Sequence, residues 1–355
     1  MSGIRIPDMP DLGAVTDATE FVADYGGSGV VRASALRNYV AGSAAGNSGR
    51  NVLHNGRFNV WQRGAGPFTS NYTADRWGLA DVTDTMSATQ VTATDSDRTA
   101  IGDESVRTFL QVAVVGDAGS SSFSYFNQPI ERLRRLAGKT TTLSFWARST
   151  AGTPRLGINA LQYMGTGGSP SAHAWALATG NTVTLSTTWT RYTSVITMPS
   201  AIGKTLGTDD NSYTGLAFFT SSGGGSSSAP SGGIGTQSFT LQIWGVQLEI
   251  GSTATPLEAL DPEDDLRHCQ RFYQTYTNCG SQTYSSAGSG VTSSDYILST
   301  PLRANPTVTL SNQGYTNGNG LIGNSYSTQR VRFAWNCIAL GVTAAFWDMT
   351  ISADL

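Results

Sequence analysis

A two-residue hydrophobic rhythm runs through most of this chain. From Gln237 to Leu248 apolar and polar residues alternate almost strictly, with Phe239, Leu241 and Ile243 on one face until Trp244 and Gly245 break the phase. Alternation at this period places successive side chains on opposite faces of a strand, one buried and one wet, and a phase break at glycine marks a bulge. The same rhythm recurs at residues 140–147, 189–197 and 214–219. Turn-forming clusters separate these runs at residues 152–154, 165–170 and 221–235, the last a Gly/Ser stretch expected to form turns or a mobile loop. Many strands with one wet face and no long amphipathic helix between them predict a two-sheet antiparallel sandwich.

Composition agrees. Charged residues are 13% of the chain, against about 25% in an average soluble domain. The exposed strand faces must therefore be covered by Ser, Thr, Asn and Gln rather than by charge. A formal net charge of −3 gives no basic footprint for nucleic acid. No apolar run is long enough to span a bilayer, and the N-terminus lacks the charged-then-apolar layout of a signal peptide, so neither membrane insertion nor a leader is expected. Cys269, Cys279 and Cys337 are odd in number and lack metal-ligand spacing, so neither a disulfide framework nor a metal site is expected. At 355 residues the chain exceeds what one core usually fills.

Three pieces are predicted. Residues 1–50 begin with an extended, proline-punctuated arm carrying Ile4 and Ile6. Two short apolar runs, residues 20–25 and 30–32, flank a Gly-rich turn and predict a hairpin. A short helix follows, capped by Ser34, with Leu36, Tyr39 and Val40 on one face, and then a Gly/Ser linker. A module this small needs a partner or copies of itself. Residues 51–258 form the sandwich, interrupted by one short helix expected over residues 128–138 with Gly138 as its stop. Residues 259–355 open on a helix with Asp261 as N-cap, Pro262 at its first position and acids in its first turn, where they meet the positive end of the dipole. A second, small β domain follows, with a Gly/Asn-rich loop expected over residues 312–323.

No catalytic constellation emerges, and no cofactor is implied. The chain has three histidines: His54 expected within the first strand, His173 in a loop, and His268 on the helix after Pro262. There is no nucleophile elbow, and the Gly-rich stretches lack a P-loop lysine. Asp261, Glu263, Asp264 and Asp265 read as helix-start acids, and Asp209 with Asp210 as turn formers. The aromatic residues are more suggestive. Trp61, Trp77, Trp146, Trp189 and Trp244 fall in strand-like runs and read as core. Tyr163, Trp175 near His173, and Tyr213 beside Asp209 and Asn211 fall in expected loops. Rings flanked by amide, acid or imidazole groups suit sugars, which present an apolar C–H face and a polar rim. Tyr163, His173, Trp175, Asp209, Asn211 and Tyr213 are therefore the candidate glycan-contacting residues.

Residues 51–64, with Asn55-Gly56, Phe58 and Val60-Trp61-Gln62-Arg63-Gly64, are followed by Tyr72-Thr73-Ala74-Asp75-Arg76-Trp77. This pattern resembles the opening of a domain in many tailed-phage and prophage fibre proteins. Residues 143–148, 188–192, 203–205, 247–258, 267–273, 301–308 and 352–355 extend the match to the end of the chain. His54 departs from it, standing where such domains usually carry an apolar residue, and residues 221–235 look like an insertion. The hairpin and helix near the N-terminus resemble the virion-attachment segment of short fibres and spikes. The resemblance implies a virion appendage, on tail or head, of a phage or of a gene transfer agent. It would comprise a carbohydrate-binding-like jelly roll on a short anchor, with a distal β domain. The expected partners are other copies of the chain in a homotrimer, a virion tail or capsid protein through residues 1–40, and host surface polysaccharide. Ile4, Ile6, Leu36, Tyr39 and Val40 would serve attachment or trimer contact. The alternatives are a glycan depolymerase using carboxylates such as Asp209 or Asp264, and a non-binding decoration protein.

Overall fold

The computed structural model describes residues 20–24, 28–32, 49–285, 290–339 and 341–355. These fall into two compact units: residues up to Arg50 with Thr255–Glu258, and Asn51–Ala254 with Ala259–Leu355. In the first unit, β1 (Glu20–Asp24) and β2 (Ser28–Arg32) pair antiparallel with Glu20 opposite Arg32, as the flanking runs predict. Ile4, Ile6, Leu36, Tyr39 and Val40, and the short helix expected around the last three, lie outside the described residues. Arg50 Nη1 donates to Thr255 Oγ1 at 2.8 Å within the same unit.

Among the described residues the second unit holds two large hydrophobic cores and two smaller buried clusters. Its first part contains β3 (Asn71–Tyr72), β4 (Gly78–Val82), β5 (Thr85–Thr92), β6 (Thr108–Val115) and β7 (Phe123–Glu131). The chain continues through β8 (Thr140–Ser149), β9 (Arg155–Tyr163), β10 (Ala174–Trp175), β11 (Asn181–Thr184) and β12 (Thr190–Thr197). It ends with β13 (Tyr213–Ser222) and β14 (Phe239–Ile250). One sheet has the order β10-β9-β13-β7-β4-β3, with β11 also on β9; the facing sheet has the order β12-β8-β14-β6-β5. From β6 to β9, and again from β12 to β14, each step of the chain crosses between the two sheets. That crossing is the jelly-roll sandwich expected of this stretch.

Alternation explains the core. Leu216 and Phe218 of β13, Phe126 of β7, Leu156 and Ile158 of β9 and Phe145 of β8 point between the sheets and are buried. Burying such a side chain fully contributes about 1.5–3 kcal/mol. In β14, Leu241 and Ile243 face this core, and after the bulge Val246 and Leu248 do so. Register slips between Trp244 and Gln247, and Gly245 adopts φ +65°. The predicted phase break is therefore a bulge that moves the inward set from odd to even positions.

Two short helices flank the sheets. The α1 helix (Asp95–Ile101), which links β5 to β6, was not expected. It has a full capping box, Thr94 with Asp97, and Gly102 in left-handed conformation closes it. The helix expected over residues 128–138 is corrected: Gln128–Glu131 complete β7, and Leu133–Arg135 form one 3₁₀ turn. Arg134 and Arg135 are exposed, and Gly138 takes φ +72°.

Residues 259–355 contain α2 (Pro262–Gln270), capped by Asp261 as predicted, whose side chain accepts from Glu263 N. Then come β15 (Tyr273–Ser285), β16 (Gly290–Ile297), β17 (Thr307–Thr316), β18 (Gly318–Tyr326), β19 (Arg330–Cys337) and β20 (Gly341–Ser352). They form two three-stranded sheets, β15-β20-β17 and β16-β19-β18, around Phe333, Trp335, Trp347, Met349 and Ile351. The loop expected over residues 312–323 is instead the facing ends of β17 and β18, turning at Asn317 with φ +48°. Cys269, Cys279 and Cys337 are free and buried.

Candidate functional site

The longest motifs build the joint between the two cores. Asn55, at φ +52° and buried, binds the carbonyls of Val60 and Asp75 through Nδ2 and accepts Val60 N at Oδ1. A Cβ on Gly56 would meet Val246 O at 2.1 Å, so only glycine lets this segment lie against β14. Arg63 and Arg76 both pair with Asp354, next to the last residue of the chain. Arg63 also lies over the Tyr273 ring, 3.6 Å from its centroid, and Arg76 over Phe272 at 3.4 Å. Glu131, at the end of β7, accepts from Arg271 (3.1 and 3.2 Å) and from Arg303 (3.2 Å). Arginine forks suit such joints because they bind carboxylate and ring faces at once.

Burial sets the ionisation of this joint. His54 stacks on His268, ring centroids 5.1 Å apart, and burial with the positive charge of Arg76 holds its pKa down at about 3. It does not lie in a strand, as expected, but in irregular backbone whose N–H and C=O bind the Gln128 amide. Burial pushes Asp75 up to about 6, against the donors of Gln62 and the charge of Arg63.

The candidate ligand face is the outer side of the sheet that contains β13. Residues opposite one another in register share a face. Tyr213 therefore lies beside Tyr163 of β9 and Glu131 of β7, and Phe219 beside Gly157 and Tyr125. Trp175, opposite Leu161, also faces outward. Tyr163, Trp175 and Tyr213 thus stand on strands of one sheet, which corrects their expected place in loops. His173 is exposed in irregular backbone before β10.

The face carries two clusters of rings. At one end Tyr163 stacks on Tyr213 at 4.8 Å, with His173 6.0 Å from Tyr163. Gly215 leaves room for the Tyr213 ring, which a Cβ there would meet at 3.2 Å. Burial and the neighbouring tyrosines push the Tyr213 hydroxyl up to about 12, so it stays a neutral donor. At the other end Trp175 packs on Phe219 at 5.3 Å and edge-on to Tyr125 at 6.3 Å, and Phe123 stacks on Tyr125. Tyr213 and Phe219 are six residues apart on β13, about 20 Å at the rise of a strand. Trp175, Tyr125, Phe123 and Phe219 line a groove of about 280 Å³, closed on one side by Ser226, Ser227 and Pro230.

That closing wall is ordered by its own bonds. Asn159 Nδ2 donates to Pro230 O and to Leu177 O, both at 3.0 Å, and Gly180 N donates to Ala229 O at 2.9 Å. The Gly/Ser stretch expected to be turns or a mobile loop therefore packs as turns beside β9.

Asp209 and Asn211 are occupied within the chain. Asp209 accepts from Thr166 Oγ1 (2.6 Å), Thr166 N (3.0 Å) and Asn211 N (3.1 Å). These bonds, Thr166 first, hold its carboxyl at about 2. Asn211 Oδ1 accepts from Arg303 Nη2 at 2.7 Å. The structure thus brings Tyr163, His173 and Tyr213 together, gives Trp175 a separate aromatic setting, and uses Asp209 and Asn211 as loop and joint staples. Phe123, Tyr125 and Phe219 were missed. Their alternation was readable, but their company with Trp175 depends on strand order. Among the described residues no group of three or more His, Cys, Asp or Glu is placed to hold a metal ion, and no helix is long and apolar enough to cross a membrane.

No protein-family model and no curated protein sequence matches the chain. Among solved structures it is similar to the enzymatically active domain of tailspike protein 4 of bacteriophage CBA120. That match has 16% identity and a TM-score of 0.33, and covers 57% of this chain and 22% of the tailspike. It is also similar to a family 11 carbohydrate-binding module from Clostridium thermocellum in complex with a β-1,3-1,4-mixed-linked tetrasaccharide. Here identity is 10% and the TM-score 0.30, over 51% of this chain and 91% of the module. The N-terminal cellulose-binding domain of Cellulomonas fimi β-1,4-glucanase C matches at 15% identity and TM-score 0.30, over 50% of this chain and 90% of that domain.

Proposed function

We propose that this chain is a virion appendage protein whose sandwich holds host surface glycan without cleaving it. The observation that carries the glycan reading is the groove of Trp175, Tyr125, Phe123 and Phe219. There a half-exposed indole stands over an aromatic floor, beside the hydroxyls of Ser226 and Ser227 and with no charged residue in the lining. Such a surface matches the apolar face and polar rim of a neutral sugar. The Tyr163, Tyr213 and His173 cluster lies on the same sheet face and extends the contact along β13. Attachment through residues 1–40 and assembly as a homotrimer belong to the same reading and rest on the resemblance drawn from the sequence. Repetition on one particle offsets weak single-site affinity, because linked copies act at high effective concentration.

The carboxylates named for a depolymerase are engaged elsewhere. Asp264 pairs with Arg267 at 3.1 Å on an exposed helix face, and Asp209 staples its own loop. This supports binding without hydrolysis. Calorimetric titration of host surface polysaccharide into the full chain tests the reading, with new reducing ends measured in the same mixture. Binding without release is expected, and Trp175→Ala should weaken it about thirtyfold, the scale of a truncated aromatic hot spot. Release of oligosaccharides, or binding indifferent to Trp175, would refute it.

A further inference from the structure

A second concavity, of about 720 Å³, opens between residues 57–62, the connection from α1 to β6, and the start of α2. It shares no lining residue with the aromatic groove. Its lining is of two chemical kinds. Trp61, Pro262 and Leu266 supply apolar surface, with Leu266 36% exposed and so open to a ligand. Arg57, Arg98 and Arg107 supply guanidinium groups.

Among the described residues, none of these three arginines forms an ion pair with an acid of the lining. Arg98 pairs with Asp95, outside the groove, at 2.6 Å. Arg57 reaches Ser105 Oγ at 3.4 Å, and its Nε is buried without a hydrogen-bond partner. Arg107 is exposed and forms no ion pair among the described residues. The acids of the lining are Glu104 and Asp265. Asp265 accepts Asn55 N at 3.0 Å, and burial raises its pKa against the pull of that bond and of the charges of His268 and Arg57. The lining thus carries three guanidinium groups against two carboxyl groups, beside an indole.

We propose that this groove binds a carboxylate-bearing sugar residue of an acidic polysaccharide, its carboxylate held by Arg57 and Arg107 and its C–H face turned to Trp61. Guanidinium forks match a carboxylate in geometry and charge, and the amide of Asn59 in the lining suits ring hydroxyls. The site does not depend on the reading of the aromatic groove. The chain would then hold neutral and acidic units at separate places.

The test is calorimetric titration of the full chain with tri-galacturonate, with maltotriose as the neutral control. Tri-galacturonate should bind, more weakly as salt rises, and Arg107→Gln should reduce the affinity about tenfold or more. Trp175→Ala should leave that affinity unchanged. Arg107 is exposed, so the melting temperature of Arg107→Gln should match the parent; the Trp61 indole N–H resonance, shifted by tri-galacturonate in the parent chain, gives a second readout independent of any variant. Absence of binding, equal binding of maltotriose at this site, or loss on Trp175→Ala but not on Arg107→Gln would overturn the proposal.

Discussion

Replacing His54 by leucine should make the protein more resistant to acid while leaving it nearly unchanged at neutral pH. The ring is buried against His268 and Phe272, and only its backbone bonds to Gln128, so leucine keeps those bonds and most of the contacts. Its folded-state pKa is about 3 against an ordinary 6.5. Below pH 6.5 the unfolded chain takes up a proton that the folded chain refuses, so stability falls with pH until about pH 3, where the loss levels off. Each unit of that window costs about 1.4 kcal/mol, so near pH 4.5 this group alone removes about 3 kcal/mol. Asp75 acts in the opposite sense. Its pKa of about 6 exceeds the ordinary 3.8, so its contribution grows as pH falls through that window. Because Asp75 is common to both proteins, subtracting variant from parent isolates His54. Urea unfolding near pH 7.5 and near pH 4.5 supplies the four free energies. The gap between His54→Leu and parent should widen by about 2–3 kcal/mol at the lower pH in favour of leucine. Parallel pH profiles would refute the argument.

Three further outcomes follow from the packing. Gly56→Ala drives a Cβ into the Val246 carbonyl, which is backbone and cannot swing away, and should cost about 1–3 kcal/mol in chemical denaturation. Gly314→Ala meets first the ring of Phe346, 55% exposed and free to turn, and should cost less than about 1 kcal/mol by the same measurement. Arg303→Met removes the bonds to Glu131, Asn211 and the Ala353 carbonyl, and should cost about 1–3 kcal/mol. Its amides along β20 should also exchange faster than those of β13.

Where alternation persisted, the strands were legible: β8, β12, β13 and β14 lie where the two-residue period put them, and the bulge lies at Gly245. The misreadings have a common cause. Leu133 and Leu136 after Ile130 mimic a helical stripe, yet Ile130 pairs with Thr214 of β13, and that long-range pairing outweighs the local pattern. Pro129 is tolerated there because β4 pairs with β7 only from Phe123 to Asn127. Glycine and asparagine at residues 312–323 read as loop because their composition is that of turns. Pairing with β19 and β20 makes them strand, and Gly314 makes room for the Phe346 ring. The blocks at residues 51–64 and 72–77 were legible in the sequence, but their part in the joint was not. Asp75, Arg76, Arg271, Arg303 and Asp354 are scattered through the chain and meet only where the two cores join. The aromatic groove was half legible for the same reason: Trp175 stood out by itself, whereas Phe123, Tyr125 and Phe219 join it only once strand order is known.

On the proposed reading, glycan settles on the outer face of the sheet that carries β13. The eight tryptophan indole N–H resonances report on it directly in the folded chain. On adding host surface polysaccharide, the Trp175 signal should move, while those of the buried Trp77, Trp244, Trp335 and Trp347 stay in place. A saturable response of the polysaccharide that leaves Trp175 unmoved would contradict the account.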